Sequence, residues 1–153
     1  MDPIMLGYIG AALAIGVSGA ASSCGVAITG NASIGAMKKN PDAFGNYLIL
    51  SALPGTNGLY GFLCYYLLKG FLVPGITMFQ ATAIFGVGLA VGGVNIFASL
   101  RQASICANGI AAIGSGHDVF GKSLILAAFP ELYAIIAVAA TFLISISIGA
   151  PVL

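Results

Sequence analysis

An all-α membrane protein of four transmembrane helices, laid out as two tandem parallel-repeat hairpins, is the fold class that this sequence predicts. Three observations carry the prediction. The chain of 153 residues is 59% hydrophobic and only 6% charged, whereas a soluble domain carries about 25% charged residues. Its apolar stretches fall into four runs, each long enough for a bilayer core that needs about 20 apolar residues per helix. Its second half repeats its first. The first observation alone excludes a water-soluble fold.

The spans are placed at about 4 to 37, 44 to 71, 79 to 113 and 120 to 149, which leaves little chain for an extramembrane domain. The start, Met1-Asp2-Pro3, lacks the basic n-region of a signal peptide, so the first span reads as a permanent helix. Cys24, Cys64 and Cys106 are odd in number and show no Cys-x-x-Cys spacing. They indicate neither a disulfide framework nor a metal site and read as small packing residues. Lys38, Lys39 and Lys122 flank the connections after spans one and three. The positive-inside rule puts those connections in the cytoplasm and both termini outside, although Lys69, at the outer end of span two, works against that bias.

Sliding the chain so that Gly10 meets Gly86 also pairs Leu13 with Leu89, Gly16 with Gly92 and Ser23 with Ser99. The register holds through the next connection: Phe44-Gly45, Leu48-Ile49-Leu50, Ala52 and Pro54 meet Phe120-Gly121, Leu124-Ile125-Leu126, Ala128 and Pro130. Scattered Gly and Ala matches would follow from composition, but Phe-Gly, Leu-Ile-Leu and Pro in one register would not. A helical hairpin has been duplicated, and because each copy holds an even number of spans the two share one orientation. The expected units are residues 1–76, without a carboxylate in the membrane, and 77–153, carrying Glu131. Glycines recur along spans one and three, among them Gly10, Gly16 and Gly25, then Gly86, Gly92 and Gly109. They predict a tightly packed inner layer.

The copies part company just after the shared proline. The first reads Pro54-Gly55-Thr56-Asn57-Gly58-Leu59-Tyr60 and the second Pro130-Glu131-Leu132-Tyr133, so Glu131 faces a glycine on either side of the gap. Glu131 lies about eleven residues into the last span, on the order of 16 Å from its cytoplasmic end, and it is the only acidic residue within a span. A charge there costs roughly 2.5 to 3.5 kcal/mol on insertion scales and marks an ion or proton path by default. Gln102 in span three and Thr56 and Asn57 in span two fall at the same depth. Pro54 and Pro130 donate no backbone hydrogen bond, so each is expected to open its helix and free carbonyl oxygens nearby. Oxygen ligands of this kind suit a desolvated Na⁺, whereas a buried carboxyl alone suffices for H⁺. Tyr60, one turn beyond Thr56, is placed either to bond the Glu131 carboxylate or to pack at the interface; Tyr133 reads as packing. Arg101, directly before Gln102, has no single account from sequence: pairing with a group in an assembly, snorkelling to an aqueous lumen and tuning the site all stay open. His117 and Asp118 read as solvated loop residues.

The duplicated hairpin, the Leu53-Pro54-Gly55-Thr56-Asn57-Gly58-Leu59-Tyr60-Gly61-Phe62 segment and the Pro130-Glu131-Leu132-Tyr133-Ala134-Ile135 segment together resemble the V-type ATPase proteolipid, the K or c subunit, over nearly the whole chain. The resemblance implies a closed ring of identical protomers, with spans one and three inside, turned past a stator membrane subunit by ATP hydrolysis in a soluble head. The chain itself would then be non-catalytic. It implies an ion-binding carboxylate at Glu131 and, by analogy with sodium-transporting members, ligand roles for Thr56, Gln102 and the Leu53 carbonyl, with Tyr60 matching a carboxylate-locking tyrosine. Those members carry glutamine where this chain has Asn57, one methylene shorter. The implied partners are identical protomers, a stator subunit with a compensating cation, central-stalk subunits at the cytoplasmic loops, and lipid. No nucleic acid and no cofactor beyond the transported Na⁺ or H⁺ is expected. The expected location is a prokaryotic plasma membrane.

Two rival classes fit parts of the sequence. Dimeric multidrug exporters also have four spans and one membrane glutamate, but in their first span and without a duplicated hairpin. A purely structural proteolipid has no use for an ionisable carboxyl at mid-bilayer.

Overall fold

The computed structural model describes residues 2–149. Met1 and residues 150–153, and with them the outermost parts of the two expected units and of both termini, lie outside the described residues. Helix α1 spans Pro3–Met37. It starts where the sequence allows: the Asp2 carboxylate accepts from the Ile4 N–H at 3.1 Å, and Pro3 at the first helical position forfeits an N–H that would have no partner anyway. Span two is in pieces, with α2 at Phe44–Ala52, a 3₁₀ turn at Leu53–Gly55 and α3 at Thr56–Leu68. Helix α4 spans Met78–Gly114 and begins with a reciprocal capping box between Thr77 and Gln80. Helix α5 spans Phe120–Ser147. The fold is all-α, and α1, α4 and α5 are each long and apolar enough to cross a membrane uninterrupted.

The second and third reversals between spans each contain a glycine that the turn geometry demands. Gly75 (φ 97°) and Gly116 (φ 89°) adopt left-handed backbone, which a Cβ would strain.

The two hairpins meet along α1 and α4. A Cβ added to Gly10 would lie 2.5 Å from the Phe85 Cα and 2.6 Å from the Ile84 oxygen, and one added to Gly88 would collide with the Gly10 carbonyl. Here the absence of side chains sets the interhelical distance, as the glycine pattern predicts. Two apolar clusters brace the bundle. One holds Ala14, Cys64, Leu68, Ile84 and Val91; the other holds Tyr47, Leu50, Cys106, Ile110 and Ala127. Between them lies a buried polar band of Ser18, Ser22, Asn57, Asn95, Ser99 and Gln102. Large apolar side chains on α5, such as Ile125, Phe129, Ile136 and Leu143, are exposed; on a membrane helix that face meets lipid.

The two prolines act differently. At Pro54 the helix gives way to the 3₁₀ turn. At Pro130 the expected opening is absent, and α5 runs through as one α-helix. The three extra residues of the first copy explain the contrast. A 3₁₀ turn takes 3.0 residues, so one such turn absorbs the insertion and returns the downstream helix to its former phase. Gly61 and Leu68 are buried beyond it, as are their counterparts Ala134 and Thr141. The second copy has no surplus to absorb, and its helix tolerates the single bond that Pro130 removes.

Gly10→Val is expected to cost about 3 kcal/mol or more by overpacking the α1–α4 contact and to lower the unfolding midpoint in detergent. Gly121→Ala, at a position where a Cβ meets nothing within 4 Å, should leave that midpoint unchanged or slightly raised.

Candidate ion-binding site

Opening span two leaves carbonyls that must find partners inside the bundle, because hydrocarbon supplies none. Hydroxyls from the flanking helices meet them. Ser22 Oγ on α1 donates to the Pro54 oxygen at 2.8 Å and Ser99 Oγ on α4 donates to the same atom at 3.2 Å. Thr29 Oγ1 donates to the Ser51 oxygen at 2.9 Å. The Leu53 carbonyl accepts from both the Thr56 hydroxyl, at 2.8 Å, and the Thr56 backbone N–H, so these two expected ligand groups are turned toward each other. The 3₁₀ turn is thereby pinned to α1 and α4, and it fixes where Asn57 and Tyr60 point.

Glu131, on α5, is half-buried and accepts one hydrogen bond at each carboxylate oxygen: Tyr60 Oη donates to Oε1 at 2.8 Å and Gln102 Nε2 to Oε2 at 2.9 Å. Three helices thus converge on one carboxylate. Gln102 Nε2 also donates to the Ala127 oxygen on α5 at 3.1 Å. With its nitrogen committed there, Gln102 turns Oε1 the other way, where Asn57 Nδ2 donates to it at 2.9 Å. Asn95, at 0% exposure, continues the chain by donating from Nδ2 to the Asn57 main-chain oxygen at 3.1 Å and to Ser18 Oγ at 2.8 Å. Gln102 and Asn57 each hand a side-chain N–H toward the carboxylate, whereas Asn95 is oriented by a main-chain carbonyl. Reversing Gln102 would aim an oxygen at Glu131, and reversing Asn57 alone would set two oxygens face to face. The carboxylate therefore dictates the orientation of side chains two links away. That polarity leaves Asn57 Oδ1 buried without a hydrogen-bond partner, and Asn95 Oδ1, whose nitrogen is taken by the Asn57 main chain and Ser18, is likewise unpartnered.

Of the residues expected at the site, Glu131, Gln102, Asn57 and Tyr60 lie in one hydrogen-bonded chain, while Thr56 and Leu53 stand beside it, bonded to each other. Tyr133 is 67% exposed on the outer face of α5. Arg101 is exposed beside the groove that contains Phe129, Pro130 and Tyr133. His117 and Asp118 are exposed in their connection. Among the described residues no group of three or more His, Cys, Asp or Glu could hold a metal ion. Sequence reasoning missed Asn95 and the serines that line the band. A signal existed for Asn95: it precedes Gln102 by two helical turns, on the same face.

Two hairpins built to one plan, one of them with a carboxylate at mid-helix, define a duplicated membrane proteolipid. The chain belongs to the ATP synthase C-subunit family, whose model matches it twice, over residues 9–68 and 85–144. Among curated relatives, the A-type ATP synthase subunit K of Methanocaldococcus jannaschii is 36% identical over 135 residues, which cover 88% of this chain and 59% of that protein. The V-type sodium ATPase subunit K of Enterococcus hirae is 34% identical over 127 residues, or 83% of this chain and 81% of that protein. The chain thus spans little more than half the length of the first relative and most of the second.

Asn95→Ala removes both donors that hold the Asn57 main chain and Ser18. It is expected to cost about 1–3 kcal/mol, measured as a fall in the thermal unfolding midpoint.

Proposed function

We propose that this protein is an ion-carrying rotor subunit of a V/A-type rotary ATPase, in which Glu131 binds Na⁺ in preference to H⁺. The observation that carries the reading is the clasp on Glu131, a mid-membrane carboxylate whose two oxygens are each held by a donor from a different helix. Sodium is favoured by the oxygens gathered around it. Gln102 Oε1 keeps a free lone pair beside its bond from Asn57, and rotation about the Thr56 side chain would release both its hydroxyl and the Leu53 carbonyl from each other. Hard cations take oxygen ligands of this mixture. The sodium ATPase relative from Enterococcus hirae supports the same choice.

Mechanism follows from the expense of charge in hydrocarbon. With a cation on Glu131 the site is neutral and can travel through lipid. Once emptied, the carboxylate is ionised and is held beside a compensating cation on a stator subunit until it is reloaded. Loading therefore gates rotation. Identical copies form the closed ring, central-stalk subunits engage the connections after Met37 and Gly114 on the cytoplasmic side, and the ATP chemistry lies on partner subunits. Each copy is two hairpin units, residues 1–76 and 77–153, in a prokaryotic plasma membrane with both termini outside. Only the second unit carries a carboxylate, so each protomer moves one ion. Moving one charge against 100 mV costs about 2.3 kcal/mol, and fewer ions per turn let a given torque work against a steeper gradient.

A hydrophobic carbodiimide should modify Glu131, and Na⁺ at constant pH should slow that modification. Protection that follows pH alone would refute sodium coordination and leave a proton site. In the intact complex, Glu131→Gln should assemble normally yet abolish ATP-driven ion movement; undiminished transport would overturn the role of the carboxylate. Native mass separates the ring from a dimeric exporter.

A further inference from the structure

The internal repeat says more than that two hairpins are alike, because the surfaces by which they touch have counterparts that touch nothing within one chain. On α1, the positions packed against α4 include Gly10, Ala14, Ala21 and Gly25, all buried. Their repeat partners on α4 are Gly86, Ala90, Phe97 and Arg101, all exposed. On α4, the positions packed against α1 include Gly88, Gly92, Asn95 and Ser99, all buried. Their partners on α1 are Ala12, Gly16, Gly19 and Ser23, and these are exposed in turn. The glycines make the contrast sharp. A Cβ on Gly92 would meet the Val17 Cβ at 3.0 Å, whereas one on Gly16 meets nothing within 4 Å; Gly93, the counterpart of Val17, is equally open. Each chain therefore carries the two halves of a second α1–α4 contact on its opposite flanks. Such a head-to-tail pair of surfaces can be satisfied only by further copies.

We infer that Arg101 stands in the seam between copies, where it takes the place that Gly25 holds within one copy, with Ser23 of a second copy beside it. The inference rests on the proposed assembly of identical copies and adds which side chains meet there. Within the chain, a Cβ on Gly25 would lie 2.6 Å from Ser99 Oγ and 2.7 Å from the Pro54 Cβ. Carried through the repeat, Ser99 becomes Ser23 of the second copy and Pro54 becomes Pro130 of the same copy, a residue that already lines the groove beside Arg101. The receiving flank is rich in small residues, interspersed with Ile15, Val26 and Leu59. Gly19, Ser23, Ala27, Gly55 and Gly58 line a groove of about 590 Å³ on the α1–α3 side, and Gly55 stands there in the position that Glu131 holds in the second hairpin. The guanidinium thus faces the half of the neighbour that has lost its carboxylate, and it is held by hydroxyl and carbonyl oxygens rather than by an acidic partner. Phe97 and Arg101 occupy in this seam the places that Ala21 and Gly25 hold in the contact inside each copy.

The test is disulfide cross-linking in membranes containing the intact complex, with Cys24→Ser as background. Arg101→Cys combined with Ser23→Cys should give a ladder of dimers, trimers and larger species on mild oxidation, since a disulfide needs Cα atoms about 4.4–6.8 Å apart. Either single substitution should stay monomeric, because a head-to-tail contact never brings a residue against itself. Gly93→Cys with Gly16→Cys tests the same docking without touching Arg101 and should give the same ladder. If the second pair links and the first does not, the place assigned to Arg101 is wrong. A large closed oligomer by native mass in which neither pair links overturns the seam and leaves the ring standing, whereas a monomer or dimer overturns the ring reading itself.

Discussion

Every polar atom in the middle of this bundle must be matched from within the bundle, since the hydrocarbon around it offers neither donor nor acceptor. That constraint explains features that sequence alone leaves unconnected. The helix break at Pro54 is tolerable because Ser22, Ser99 and Thr29 bring hydroxyls to the carbonyls exposed there. The small residues of α1 and α4 let those hydroxyls arrive, for any larger neighbour would hold the helices apart. The carboxylate, the most demanding acceptor of all, then imposes a direction on the side-chain amides of Gln102 and Asn57, while the Asn57 main-chain carbonyl takes the nitrogen of Asn95. Two buried amide oxygens without a hydrogen-bond partner are the residual cost of that order, since an unsatisfied buried acceptor costs about 1–3 kcal/mol.

Much of the fold was legible in the sequence because the membrane narrows the choices so severely. Four apolar runs, a repeat in one register and glycines at close spacing leave few arrangements other than two parallel hairpins packed along their first helices. The depth of Glu131, Gln102, Thr56 and Asn57 could be counted off at 1.5 Å per residue. Which group bonds to which could not. That Thr56 would turn back to its own Leu53 carbonyl, or that α5 would pass straight through Pro130, depends on local backbone geometry that a count of residues does not register. Asn95 escaped notice for a different reason. Its repeat partner is Gly19, so the repeat carries no hint that Asn95 on α4 bonds both helices of the first hairpin, α1 at Ser18 and α3 at the Asn57 main chain.

The 3₁₀ turn at Leu53–Gly55 has a consequence for how such a chain could have diverged. An insertion in a continuous α-helix rotates everything beyond it, and a three-residue insertion would swing the buried face of α3 by about 60°. Winding three residues at this point as a 3₁₀ turn, at about 120° each instead of about 100°, makes up that difference and brings the longer copy through a full extra revolution. The turn therefore acts as a phase buffer that separates two selective pressures. Residues at and just beyond it can be gained, lost or exchanged to suit whatever sits beside the carboxylate, while Gly61, Cys64 and Leu68 farther along keep their register against α1. A duplicated hairpin with this device could discard an acidic group from one copy and elaborate the space around the other without refitting the packing that had made the two copies compatible.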